Sequence, residues 1–283
     1  MKDNYIIDNN CLSNVNKELT GVFYVPYNEE VNSPEIIAER AFNNCINLTS
    51  IEMQNNIKQI GIAAFRNCYG LKSIILSKNV KTLMANTFEG CSSLISIQSL
   101  SNVEQIGDYC FMYNKALTNI VLGAYTKYVG VAAFQHCNSL KTITIPNTVT
   151  FLGAGAFSDC TSLISANLSE SINVIDQGLF KNCINLVGVG INNNIKYIRP
   201  YAFLNCRKLK TIEIPKSLLS IDSFAFMNCI NLRTVIIPNA STELQPNCFK
   251  NCFKLTIKCY RNSKAHKYAV QNNIKFRFIE PKI

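Results

Sequence analysis

The segment AFQHCNSLKTITIP, residues 133–146, contains the pattern that decides the fold of this 283-residue chain. Its phenylalanine belongs to a series of ten that follow one another at an unbroken interval of 23 residues. The series consists of Phe42, Phe65, Phe88, Phe111, Phe134, Phe157, Phe180, Phe203, Phe226 and Phe249. A repeat of this length cannot bury its apolar side chains alone, so copies must stack on one another. The period therefore predicts a solenoid in which each repeat contacts its neighbours.

A Leu-x-x-Ile-x-Ile pattern follows the phenylalanine, as in Leu140, Ile143 and Ile145, and most other repeats carry apolar residues at the same places. Its last part alternates with period two, which is typical of a β-strand, and strands one repeat apart must run in the same direction. The sequence therefore predicts one short strand per repeat in a long parallel sheet. Short turns or 3₁₀ segments on the opposite side are expected to carry the phenylalanine column and a cysteine column.

The full pattern Ala-Phe-x-x-Cys-x-x-Leu-x-x-Ile-x-Ile-Pro resembles the BspA-like leucine-rich repeats, over roughly residues 42–260. The resemblance implies an α/β-type repeat solenoid, a right-handed leucine-rich-repeat superhelix with one long parallel β-sheet. Repeats of this kind occur in bacterial surface proteins and in parasitic protists. Adhesion to host or matrix proteins is the usual role there, so the resemblance implies an adhesin-like protein.

One uninterrupted period favours a single elongated domain over two globular ones. We expect residues 1–41 to form a degenerate first repeat and N-terminal cap, residues 42–260 to form ten repeats, and residues 261–283 to form a C-terminal cap. In that last segment Ser263 is a good N-cap for a short helix that ends near Gln271. Residues 274–279 alternate as a closing strand.

The varied residues of the predicted strands supply the candidate binding site. Residues on either side of the inner isoleucine should point outward, and one of these two rows is nearly uniform in hydroxyls, such as Ser50, Ser73 and Thr142, which indicates structural cross-strand pairing. The other row is varied and partly apolar, so it is where a repeat protein could encode a partner, although neutral variation is an alternative. The candidate partner-binding residues are Glu52, Ile75, Gln98, Val121, Thr144, Asn167, Glu213 and Ile236.

The net charge of +10 is concentrated at the C-terminal end, because residues 199–283 contain fifteen Lys and Arg but four Asp and Glu. Such a region favours an alternative function, binding of nucleic acid or an anionic surface, or is simply a solvated face. Few exposed aromatics are expected among these cations, which disfavours single-stranded nucleic acid. A structural module within a larger assembly is a further alternative. The candidate cations are Arg207, Lys208, Lys210, Arg261, Lys264, Lys267, Lys275 and Arg277.

Thirteen cysteines raise the question of metal or redox chemistry, but nine of them lie three residues after a phenylalanine of the series. We expect this column to be reduced and buried, because parallel side chains do not meet disulfide geometry. Asn114 replaces the cysteine in one repeat and must find hydrogen bonds there or lie partly exposed. His136 and His266 are far apart in sequence, and Cys248, Cys252 and Cys259 match no zinc pattern. The sequence predicts no catalytic, metal or cofactor site.

The cellular location can also be predicted from the sequence. No apolar run approaches the ~18 residues of a membrane span, and Met1 to Asp8 lack a signal-peptide core, so the sequence as written predicts a cytoplasmic protein. Display on a cell surface or secretion would require a longer chain or another export route.

Four glycines that share one place in the repeat are expected to be turn residues. They are Gly61, Gly107, Gly130 and Gly153.

Overall fold

The computed structural model describes residues 4–27 and 33–280, in two compact units, Met1–Leu140 and Lys141–Ile283. Parts of the predicted caps, residues 1–3, 28–32 and 281–283, lie outside the described ranges. Each unit is built from repeats of short parallel strands, so the predicted leucine-rich-repeat solenoid fold is confirmed. Within the described ranges, no helix combines the length and the apolar character that a membrane span needs.

The described residues of the first unit, 4–27 and 33–140, contain eleven short strands and one 3₁₀ turn, Leu100–Asn102. The strands are β1 (Ile6–Asp8), β2 (Cys11–Ser13), β3 (Gly21–Tyr24), β4 (Ile36–Ile37), β5 (Leu48–Glu52), β6 (Gln59–Ile60), β7 (Ser73–Ile75), β8 (Thr82–Leu83), β9 (Ser96–Gln98), β10 (Gln105–Ile106) and β11 (Tyr128–Val129). Strands β3, β5, β7 and β9 form one parallel sheet. Strands β2, β4, β6, β8, β10 and β11 form a second parallel row, which the antiparallel β1 extends.

Residues 141–280 of the second unit contain twelve strands and one helix. They are β12 (Thr142–Thr144), β13 (Phe151–Leu152), β14 (Ser165–Asn167), β15 (Val174–Ile175), β16 (Gly188–Gly190), β17 (Tyr197–Ile198), β18 (Thr211–Glu213), β19 (Ser220–Ile221), β20 (Thr234–Ile237), β21 (Glu243–Leu244), β22 (Thr256–Cys259), α1 (Lys264–Gln271) and β23 (Lys275–Phe278). The longer strands form two parallel sheets, in the orders β12-β14-β16 and β18-β20-β22-β23. The two-residue strands β15, β17, β19 and β21 form a third.

The terminal elements agree in part with expectation. The predicted C-terminal helix is confirmed as α1, whose N-cap Ser263 accepts a hydrogen bond on its Oγ from the amide of His266 at 3.1 Å. The closing strand is confirmed as β23. At the other end, the β1–β2 hairpin was not predicted, although Asn9 and Asn10 carried its signal. Both have positive φ, which is the backbone that a two-residue hairpin turn requires.

The row of longer strands is interrupted, unlike the single long sheet that the sequence predicts. In the first unit it stops at β9, because Ser99 adopts left-handed φ of 68° and moves the inward apolar position to Leu100. In the second unit β16, which contains Gly188 and Gly190, is not hydrogen-bonded to β18. The two-residue strands are a second departure, because short turns or 3₁₀ segments were expected opposite the sheet.

The phenylalanine column forms the core of each unit. Nine of the ten rings are completely buried, and the tenth, Phe249, is 3% exposed. Successive rings stack nearly face to face, at 4.8 Å between the centroids of Phe42 and Phe65 and 4.9 Å between those of Phe203 and Phe226. Edge-on rings end the stacks, since Phe23 meets Phe42 at 70° and Tyr268 meets Phe249 at 69°. The predicted spine is therefore confirmed as a column of stacked rings.

Two backbone reversals flank each phenylalanine. Around Phe203, Tyr201 has a φ of 61° and Asn205 a φ of 62°, and the residues two places before and after every other ring of the series also have positive φ. Asparagine tolerates this left-handed region better than most residues do. Its amide also links repeats, because the Nδ2 of Asn205 donates to the Oδ1 of Asn182 at 2.7 Å and that of Asn228 donates to Asn205 at 2.8 Å.

Close backbone approach, rather than turn conformation, explains three of the shared glycines, Gly61, Gly107 and Gly130. A Cβ on Gly61 would lie 2.4 Å from the amide nitrogen of Glu39, and one on Gly107 would lie 2.7 Å from that of Ala85. Neither glycine has positive φ. These positions therefore require glycine because a Cβ would collide with the neighbouring backbone, and not, as expected, because they are turn residues. Gly123 shows the same constraint, since its Cβ would lie 2.5 Å from the carbonyl oxygen of Ser101.

Replacing Gly123 by alanine should destabilise the protein. The added Cβ meets backbone atoms of the preceding repeat, so the backbones of the two repeats must move apart. This should lower the free energy of unfolding by about 1 to 3 kcal/mol. Gly188→Ala is the matched control, because a Cβ there meets nothing within 4 Å and φ is not positive. Urea unfolding of both variants checks this. Equal stability of the two variants would contradict the steric explanation.

Candidate functional site

The outward row of the first unit begins as the sequence predicts. Glu52, Ile75 and Gln98 are paired in register on β5, β7 and β9, so their side chains form one line across the sheet. Val121 is 74% exposed but lies outside any strand. Tyr24 on β3 pairs with Glu52, is 64% exposed and extends the row beyond the predicted set. This part of the row therefore presents acidic, apolar and amide groups to solvent.

In the second unit the predicted row is divided between the two sheets of longer strands. Thr144 pairs with Asn167 in one sheet, and Glu213 pairs with Ile236 in the other. The second line continues to Lys258 and then Arg277, which the sequence analysis did not place there. The sequence carried a signal for this placement, because the apolar pattern of residues 255–260 is displaced by one place. The pairing step from Ile236 to Lys258 is accordingly 22 residues instead of 23.

The uniform outward row has the structural role that the sequence indicates. Ser50 and Ser73 lie opposite each other on β5 and β7, and their hydroxyl oxygens are 2.9 Å apart, within hydrogen-bond distance. Thr142 and Ser165 are register partners on β12 and β14, so their hydroxyl-bearing side chains are cross-strand neighbours. Cross-strand hydroxyl pairs stabilise a sheet.

A shallow groove of about 560 Å³ opens where the sheet of the first unit stops, between residues 95–101 and 118–124. Ile97 occupies an inward position but is partly exposed, whereas its equivalent Ile74 is 1% exposed. Ile95 and Val121, 52% and 74% exposed, line the same groove. The predicted residue Val121 thus belongs to an apolar depression rather than to a continuous strand row.

The basic C-terminal residues are only partly brought together. Lys275 and Arg277 lie on β23 and share a groove with Arg233, Lys254 and Lys258. Other candidates have local partners, because Lys264 is paired with Glu243 and the guanidinium of Arg261 lies 4.5 Å from the ring centroid of Phe278. The remaining candidates do not line this groove, and they are Arg207, Lys208, Lys210 and Lys267.

The cysteine column is buried and makes hydrogen bonds across repeats. All thirteen cysteines lie within the described ranges and are thiols. Most column thiols lie beside the carbonyl oxygen of the phenylalanine 26 residues earlier, as Cys206 Sγ does at 3.2 Å from Phe180, whereas Cys45 Sγ lies 3.9 Å from the carbonyl oxygen of Asn16. Asn114 does the same, since its Nδ2 donates to the oxygen of Phe88 at 2.8 Å. Asn114 is completely buried, and among the described residues its Oδ1 has no hydrogen-bond partner.

The surroundings of these thiols oppose ionisation. Burial raises the pKa of the Cys45 thiol from 9.0 to about 11 and that of Cys248 to about 12, and it raises the pKa of Cys206 further. A nucleophilic or metal-binding cysteine needs the thiolate, which these sites disfavour. The described ranges contain no group of three or more side chains able to hold a metal ion. His136 stacks on Tyr113, with ring centroids 4.6 Å apart.

A comparison with protein families identifies one family. A family model described as BspA type leucine rich repeat region (6 copies) matches residues 35–164 and again residues 127–256. A comparison with curated proteins returned no match. The two overlapping matches together span most of the chain, including every repeat from the first phenylalanine to the last.

Solved structures share the fold at low sequence identity. A leucine-rich repeat protein from Bacteroides ovatus is 21% identical, with 98% of each chain covered and a TM-score of 0.59. A leucine-rich repeat protein from Eubacterium ventriosum is 19% identical, with 88% of this chain and 93% of the other covered and a TM-score of 0.54. The T. pallidum leucine rich repeat protein is 24% identical, with 72% and 86% covered and a TM-score of 0.51.

Replacing Asn114 by cysteine should stabilise the protein. The substitution restores the thiol donor to the Phe88 carbonyl and removes the buried oxygen that has no partner, so the free energy of unfolding should rise by about 1 to 3 kcal/mol. Urea unfolding measures the change. Asn114→Ala is the control, because it removes the same oxygen without restoring a donor and should gain less. A less stable cysteine variant would contradict this explanation.

Alkaline pH should weaken the fold through the buried thiols. Their pKa is higher in the folded chain than the ordinary 9.0, so above about pH 9 the unfolded chain loses protons that the folded chain retains, and stability falls. Below that pH the contribution is fully present. Urea unfolding between about pH 8 and about pH 11 checks the slope. A Cys45→Ala, Cys248→Ala variant should lose less stability over this range, and an identical slope would refute the assignment.

Proposed function

The chain belongs to the BspA type leucine rich repeat family, and from this premise we propose that it is a non-catalytic scaffold that binds a partner protein on its exposed strand face. The observation that carries the proposal is the varied outward row. Its residues lie beside a uniform hydroxyl row and above a buried core, so they can change without disturbing the fold. Proteins built from repeats commonly encode partners on such a surface.

The arrangement of the row supports protein as the ligand. Val121 and Ile236 expose apolar surface, 74% and 36% respectively, beside polar neighbours such as Gln98 and Glu213. Protein interfaces combine apolar centres with polar rims in this way. The buried, protonated cysteines are poor nucleophiles, which favours binding over catalysis.

The proposal extends to an adhesin-like role toward a host or matrix protein if the chain is displayed on a cell surface. The family contributes this part of the proposal, and the chain contributes a surface suited to it. A partner would contact Glu52, Ile75, Gln98 and Val121 in the first unit. In the second unit it would contact Thr144, Asn167, Glu213 and Ile236.

Charging the apolar members of the row should abolish capture of the partner. A variant with Ile75→Asp, Val121→Asp and Ile236→Asp places carboxylates in the proposed interface, where burial of an unpaired charge is costly. Affinity capture followed by mass spectrometry compares it with the wild-type chain. We expect the proteins that the wild type recovers to be lost from this variant.

The matched control carries three equivalent changes at exposed apolar residues outside the row. Ile46, Ile62 and Leu219 are 48%, 45% and 44% exposed, so Ile46→Asp, Ile62→Asp and Leu219→Asp introduce the same charge elsewhere. Circular dichroism establishes that both variants are folded. Equal recovery by the row variant and the control would show that the partner binds another face.

A further inference from the structure

Five cations form a continuous surface at the end of the strand face in the second unit. Arg233, Lys254, Lys258, Lys275 and Arg277, here called the basic patch, line one groove together with threonines and Phe253. Lys258 and Arg277 are register partners on β22 and β23, so their backbones are about 4.8 Å apart. Four of the five are exposed and Lys258 is half-buried.

Several cations elsewhere in the chain are paired with a carboxylate 23 residues away. Lys58 pairs with Glu35 at 2.7 Å, Arg66 with Glu89 at 2.8 Å, and Lys127 with Glu104 at 3.1 Å. The repeat therefore brings opposite charges together in register.

Among the described residues, the cations of the basic patch have no such ion pairs. Within the described ranges none of its five cations has a carboxylate at ion-pair distance, and Lys254 donates instead to the neutral Oδ1 of Asn231 at 2.8 Å. Lys258 follows Ile236 in the outward row, at the position where acidic, apolar, neutral polar or glycine residues stand in other repeats. Like charges held this close repel one another, and a bound polyanion relieves that repulsion.

We propose that the basic patch binds an acidic segment of the protein partner, an inference that rests on the proposed function and specifies the chemistry of its ligand. The row that enters the patch reads Glu213, Ile236, Lys258 and Arg277, so it presents an acid and an apolar side chain before the cations. A peptide with apolar and acidic residues complements this order. A chain of phosphates would meet the carboxylate of Glu213.

The aromatic residues also favour protein over nucleic acid. Phe253, 83% exposed, is the one aromatic side chain that lines the groove of the patch. Phe276 is on the other face of β23, where its ring lies 4.7 Å from that of His266. Sequence-tolerant binding of single strands uses successive aromatic platforms. A single exposed ring beside cations suits an apolar anchor within an acidic peptide.

The test uses a fluorescein-labelled peptide of alternating glutamate and leucine, with an oligothymidylate of equal charge as the competing ligand. Fluorescence anisotropy at low salt measures both. We expect the peptide to bind the wild-type chain more tightly than the oligothymidylate, with an affinity that falls as salt increases. Lys258→Glu with Arg277→Glu should weaken peptide binding by about tenfold or more.

The matched control is Lys181→Glu with Lys196→Glu, which makes the same charge change at exposed residues outside the patch. A second patch variant, Lys254→Glu with Lys275→Glu, guards against misfolding of the first, and thermal unfolding checks all three. The control should retain peptide binding. Equal losses in patch and control variants, tighter binding of the oligothymidylate, or no peptide binding would each overturn the proposal.

This outcome is separable from that of the proposed function. Ile75 and Val121 lie in the first unit, outside the patch, so capture of a partner can depend on them whether or not the acidic peptide binds. Failure of the peptide with retained dependence on the row would remove the acidic ligand alone. Loss of both would remove the strand face as a binding surface.

Discussion

Stacking of the buried phenylalanine rings is the interaction on which the rest of the structure depends. Ring centroids 4.8 to 5.5 Å apart in the first unit match the separation of neighbouring β-strands, about 4.8 Å. The core and the hydrogen-bonded backbone therefore share one spacing. Because each ring is flanked by two left-handed residues, the chain reverses on either side of it and returns in register one repeat later.

That shared spacing separates the residues that maintain the fold from those free to serve binding. Positions that face inward are held by volume and by hydrogen bonds, as Cys206 is by the Phe180 carbonyl. Positions of the varied outward row change from Glu52 to Ile236 without interrupting the stack. Charges follow the same register, since ion pairs such as Lys58 with Glu35 join successive repeats. Within the described ranges the cations on β22 and β23 lack such a pair, and they lie together in one groove.

Local departures from the repeat decide where the surface changes character. Ser99 cannot fill the inward position of its strand, so the next residue, Leu100, is buried instead and the ladder ends at β9. The carbonyl of Ser101 then approaches Gly123, where there is no room for a side chain. An apolar groove opens beside it. The one-place shift near Lys258 acts similarly and turns a lysine toward the outward row.

The sequence by itself determined the repeat, the buried Phe column, the C-terminal helix and strand, and most of the outward row. These follow from periodicity, since a fixed interval assigns each residue type to one side of every repeat. Tertiary structure alone decided the breaks in the sheet, the close contact at Gly107 and the grouping of Arg233, Lys254, Lys258, Lys275 and Arg277. The reason is physical: these features depend on which atoms of neighbouring repeats meet. A period specifies which residues are equivalent, whereas register shifts and backbone approach specify which residues touch.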